Sequence, residues 1–190
     1  MLHGVIKSHV RENRLHDLIF QYVIIIAVCY IISKILADTL WNWNVNLLHT
    51  GLELICIFIA LSSFFIVFLT TDTANFSAKI IGYGFLAVAV FDAFHIYYFP
   101  GLRLYPEEYR DLATRYWILG RLSEVIILFI STTFTFKAKL NRWICTLISL
   151  VLSAGICLAV LNFPGIMPVL LTDSGVTEPK ILMEYFIIIM

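Results

Sequence analysis

Five stretches of this chain are almost free of charge, and short polar segments separate them. They run from about Leu18 to Ala37, Asn46 to Thr70, Lys79 to Phe99, Tyr116 to Phe136 and Trp143 to Asn162. Each approaches or exceeds the about 20 residues a helix needs to cross a hydrocarbon core of roughly 30 Å. Backbone groups in lipid must satisfy each other, which selects helices. The pattern therefore predicts an all-α, polytopic transmembrane helix bundle spanning residues 18–190. A sixth apolar stretch opens near Ile181 and holds ten residues, 181–190. Ten helical residues reach about 15 Å, half a bilayer core. The stretch reads as the start of a sixth span, and the chain as the N-terminal piece of a longer protein.

Composition agrees. Of 190 residues, 61% are hydrophobic and 14% charged, and the mean hydropathy is +0.91. A soluble domain is nearer half apolar and about a quarter charged. Thirteen basic and thirteen acidic residues cancel, so no charge excess points to a nucleic-acid partner. Residues 1–17 are polar and basic, with His3, His9 and His16 among them, and no cleavage site follows; they read as a cytoplasmic N-terminal segment, not a signal peptide. Cys29, Cys56, Cys145 and Cys157 all fall inside apolar runs and read as small hydrophobes.

Basic residues orient the spans. With the N-terminus inside, Lys7, Arg11, Arg14, Lys79, Lys137, Lys139 and Arg142 are cytoplasmic. Arg103, Arg110, Arg115 and Lys180 are outside, diluted by acidic neighbours. Trp41, Trp43, Tyr97, Tyr98, Tyr116 and Trp117 would then form an outer aromatic belt, with Trp143 at the inner interface. In the loop before the fourth span, Pro106 followed by Glu107 and Glu108 is a helix-start signal. Tyr105, Tyr109, Leu112 and Tyr116 share a face, which predicts a short helix over residues 103–115 lying on the outer surface. Residues 163–180, with three prolines and two glycines, read as an outer loop or partly re-entrant segment.

Ionisable residues within the spans are few and fall in pairs. His49 and Glu53 are four apart, Asp92 and His95 three apart, and Arg121 and Glu124 three apart. Each pair shares a helix face. Glu184 lies in the sixth stretch. At 1.5 Å per residue these groups all sit roughly 4 to 12 Å from the outer end of their spans, although alternate spans run in opposite directions. A charge in mid-span costs around 2.5–3.5 kcal/mol, and groups that face one another share that cost. Four carboxylates against one arginine leave a surplus of negative charge, which calls for protons, water or a cation. His49, Glu53, Asp92 and His95 are the candidate ligands for a divalent transition metal, zinc or iron, with Glu124 beside them and Arg121 and Glu184 in support. Each piece also has an ordinary structural explanation. His49 can cap a helix end, Asp92 and His95 can pack helices through a hydrogen bond, and Arg121 with Glu124 can be a simple ion pair. Gly51, Gly82, Gly84 and Gly120 suit close helix packing.

The segments LLHTGLELICIFIA, GFLAVAVFDAFHIYYFPG, TRYWILGRLSEVIIL and TEPKILMEYF carry His-x3-Glu, Asp-x2-His and Trp-x3-Arg-x2-Glu on successive spans. In this order they resemble the third type of membrane-associated sensor domain, the MASE group, from about residue 15 to the end. The resemblance implies an input domain of a bacterial signalling protein in the inner membrane. It also implies a histidine kinase or diguanylate cyclase output module on the cytoplasmic side, which this chain lacks, and a homodimer. On that expectation the chain carries no catalytic residues of its own. Two alternatives stay open: an intramembrane metal-dependent hydrolase with Glu53 as base, and a haem or quinone redox protein with His49 and His95 as axial ligands.

Overall fold

Asn75 and Asn141 start two of the spans, and both act through the same contact. The Asn75 side chain accepts from the Ala78 amide at 2.8 Å, and that of Asn141 accepts from Trp143 and Ile144 at 2.9 and 3.3 Å. Each thus satisfies amides that a helix start leaves without partners. The computed structural model describes residues 20–72, 75–102, 104–134 and 141–190, with the backbone alone for 40–44. The N-terminal segment 1–17 lies outside the described residues, as do Arg103, Lys137 and Lys139. The chain divides into two units, Met1–Leu48 and His49–Met190.

In the first unit α1 is helical over residues 20–36 and runs through a π-helical turn, Ala37–Trp41, into α2, Asn42–Thr70. None of the apolar window in Phe20–Thr39 is buried inside the protein.

The second unit holds the rest of α2, then α3 (Phe76–Tyr98), α4 (Arg110–Thr133), α5 (Arg142–Asn162) and α6 (Glu178–Ile189). Half of the apolar window of α3 is buried, against 17% for α2, 22% for α4 and 17% for α5. The third helix is therefore the axis of the unit, with α4 and α5 as its main neighbours. Glycine sets the spacing. A Cβ on Gly84 would stand 2.6 Å from Ile127 on α4, and one on Gly82 would stand 2.4 Å from Val67 on α2. Close approach of this kind replaces the hydrophobic drive that lipid does not supply. Hydroxyls add cross-links: Ser149 donates to the Tyr83 carbonyl at 2.6 Å, and Tyr116 donates to the Cys157 carbonyl at 3.1 Å. Phe58, Leu69 and Trp143, each about two-thirds or more exposed, present apolar faces that meet the lipid bilayer. Cys56, one of the cysteines that read as small hydrophobes, is exposed as well.

The loop before the fourth span departs from expectation. Pro106 precedes a 3-10 turn, Glu107–Tyr109, that runs directly into α4. The start signal is therefore where the sequence placed it, but no separate surface helix forms. Tyr105, Tyr109 and Leu112 pack with Tyr116 against Phe91 and Tyr98 of α3, so this face turns inward. Tyr116 and Tyr98 are core residues, 0% and 8% exposed, and do not belong to an interfacial belt. Tyr97 and Trp143 are exposed.

Residues 163–177 are also more ordered than an open loop. A 3-10 turn, Pro164–Ile166, leads to an antiparallel hairpin of β1 (Leu171–Thr172) and β2 (Gly175–Val176), with Thr172 opposite Gly175. Gly175 has φ +119°, a backbone conformation that side-chain-bearing residues rarely adopt. Asp111 fastens this segment to α4. Its Oδ1 accepts from the amides of Leu170 and Leu171 at 2.7 and 2.8 Å, and its Oδ2 pairs with Arg115. Arg115 in turn donates to the Pro164 carbonyl at 2.5 Å.

Candidate functional site

The ionisable residues of the spans resolve into two adjoining groups on either side of one turn of α3. The first is a trio. His49 and Glu53, one turn apart on α2, meet His95 of α3, and one ligand atom from each lies within 4.8 Å of the others. The two Nε2 atoms of the histidines are 3.2 Å apart. His95 is 5% exposed, and its Nδ1–H donates to the Ala113 carbonyl of α4 at 2.8 Å. Because a carbonyl only accepts, this bond places the ring proton on Nδ1 and leaves the Nε2 lone pair facing His49. The rings meet edge to face at 84°, and Phe99 packs on both, 4.5 Å from His49 and 5.9 Å from His95.

The second group is a chain of charges. Arg121 donates from one terminal nitrogen to Asp92 Oδ2 at 2.6 Å and from the other to Glu124 Oε2 at 2.9 Å. Asp92 is 1% exposed. Its Oδ1 and the Arg121 Nε are buried without a hydrogen-bond partner. A Cβ on Gly120 would stand 2.7 Å from that Oδ1, so this glycine makes room for the carboxylate as well as for the neighbouring helix.

Three of the four expected metal ligands therefore converge, and the fourth, Asp92, is held by Arg121. Glu124 joins the Arg121 chain. Glu184 pairs instead with Lys180, one turn earlier on α6, at 3.4 Å. Lys180 adds a positive charge beside the histidines, and with it the surplus of negative charge shrinks. A cavity of about 220 Å³ opens over the histidine pair; Phe99, Trp117, Arg110 and Lys180 line it with them. Sequence reasoning missed these four. The signal for Lys180 was Pro179: taken as a first-turn proline, it starts the helix early enough to put Lys180 and Glu184 on one face.

A set of apolar helices enclosing buried ion pairs and a histidine-floored cavity defines a multi-span helical membrane protein with a polar site among its spans. Residues 40–190 match the MASE3 family model, a membrane-associated sensor domain, and the chain belongs to that family. It is a sensory domain embedded in the membrane. No curated protein and no solved structure matches the chain.

Proposed function

We propose that this domain senses through a divalent transition-metal centre held by His49, Glu53 and His95, and that the centre controls an output module on the cytoplasmic side. The observation that carries the reading is the convergence of the three donors within 4.8 Å. Two ligand atoms that are each roughly 2.1 Å from a tetrahedral ion lie about 3.4 Å apart, and the histidine nitrogens already stand at 3.2 Å. Two imidazoles and one carboxylate suit zinc or iron(II) and leave coordination positions for a ligand. The Nδ1–H bond from His95 to Ala113 is the outer contact that orients a metal-binding imidazole.

The metal would supply a Lewis-acid position open to the cavity. The protein's own residues do the rest. Phe99 packs against both rings, Ala113 fixes the His95 tautomer, and Arg121 holds Asp92 away from the trio while Glu124 steadies the guanidinium. Three helices meet at this point, so occupancy would bias the packing of α2 against α3 and α4. A coupling of about 1–3 kcal/mol is enough for a switch.

The alternatives draw less support. Bis-histidine haem ligation needs a porphyrin plane between the two nitrogens, which here are in direct contact. A hydrolase needs a base beside the metal, and Glu53 is one of the three donors. The family match favours sensing. On this reading the protein acts as a homodimer in the bacterial inner membrane, with its N-terminus in the cytoplasm.

The test joins the chain to a kinase or cyclase module and follows output as zinc or iron is added. Output is expected to respond in the parent and to stop responding in His49→Ala and His95→Ala. A full response in both variants would reject the reading.

A further inference from the structure

Four of the side chains that line the 220 Å³ cavity are basic in character, His49, His95, Arg110 and Lys180, and no carboxylate lines it among the described residues. The acids nearby stand behind these groups and outside the cavity lining, Glu53 against the two histidines and two others against the cations. Glu107 pairs with Arg110 on its own turn, and Glu184 pairs with Lys180. The Lys180 side chain is 18% exposed, and its one ion pair among the described residues is the 3.4 Å contact with Glu184. Its ammonium faces the cavity, and with one contact to Glu184 its three donors have room for another acceptor. Phe99 and Trp117 supply flat apolar walls. The volume of about 220 Å³ is ample for a small molecule.

We propose that the ligand sensed here is a small anion, one whose charged group sits between Lys180, Arg110 and the histidine pair and whose body lies against Phe99 and Trp117. Binding draws Lys180 away from Glu184, and so reaches α6, which packs on α4. The proposal rests on the reading of this cavity as the sensing pocket, but it does not require the metal. A metal on the trio adds positive charge to the cavity floor and strengthens the same preference.

The experiment uses the whole purified chain in detergent at constant ionic strength. Binding of nitrate, acetate and benzoate is measured by calorimetry beside the neutral analogues acetamide and benzamide. At least one anion is expected to bind tenfold or more tightly than the neutral analogues. Lys180→Gln removes that preference, whereas Glu184→Gln, which frees the ammonium, tightens anion binding several-fold. Equal binding of acids and amides, or no binding by any anion, would overturn the proposal, and so would an unchanged preference in both variants. Metal content measured on the same samples separates the two readings. Metal present without anion selectivity sinks this inference alone, and anion selectivity without metal sinks the metal centre alone.

Discussion

Replacing Asp111 with alanine is expected to release residues 163–177 from the fourth helix and to lower stability by about 3 kcal/mol. One carboxylate makes most of the polar connections described, and Arg115 to Pro164 makes the other. Oδ1 holds the amides of Leu170 and Leu171, and Oδ2 holds Arg115, whose side chain is 6% exposed. Without Asp111 the guanidinium keeps only the Pro164 carbonyl among the contacts described, a poor counterpart for a buried charge. Leu170, 0% exposed, loses the acceptor of its amide and keeps the bonds from Thr177 to its carbonyl. Thermal unfolding in detergent reads the stability change, and limited proteolysis reads the release of the loop. Asp111→Asn keeps an acceptor for the two amides and loses the ion pair, so its cost is expected to be smaller. A variant Asp111→Ala that unfolds with the parent and resists protease equally would show that the hairpin is held by something else.

Arg121→Met is expected to cost about 3–5 kcal/mol, the penalty for stranding a buried charge. Asp92 is 1% exposed, and its second oxygen already lacks a partner. The guanidinium is the one group that offsets it among the described residues. Methionine fills similar space along the same path but offers no donor. Adding Asp92→Asn to Arg121→Met removes the stranded carboxylate, and the double variant is expected to recover part of the loss, with a coupling of roughly 0.5–3 kcal/mol. Strict additivity would mean that the 2.6 Å contact carries no net energy. Glu124, on the more exposed side of Arg121, is expected to matter less, because the guanidinium keeps its pairing with Asp92 when Glu124 is replaced.

The spans were legible because lipid imposes a simple rule: a long run of apolar residues must be a helix. His49, Glu53 and His95 were legible for a related reason, since ionisable groups within such runs are costly and spacing alone places them on helix faces. The partner of Asp92 was not. Whether it joins the histidines or Arg121 depends on how far α4 is rotated against α3, and residue spacing does not report rotation. The start of α4 was misread because counting apolar residues finds the lipid-facing part of a helix. Its first turns are amphipathic and pack on the end of α3 through Tyr105, Tyr109 and Leu112. Asp111 and Arg115 fall in the segment that reads as a helix on the outer surface, and the chain that returns over them through Pro164, Leu170 and Leu171 is what encloses Arg115. Gly120 looked like an ordinary packing glycine because the oxygen it accommodates comes from another helix.

Elemental analysis of the detergent-purified chain, after exposure to zinc and to iron and removal of the excess, probes the trio most directly. Stoichiometric retention of one of the two metals is expected in the parent, with loss from both His49→Ala and His95→Ala at unchanged helical content. A parent that retains neither metal, or variants that retain as much as the parent, would contradict the account.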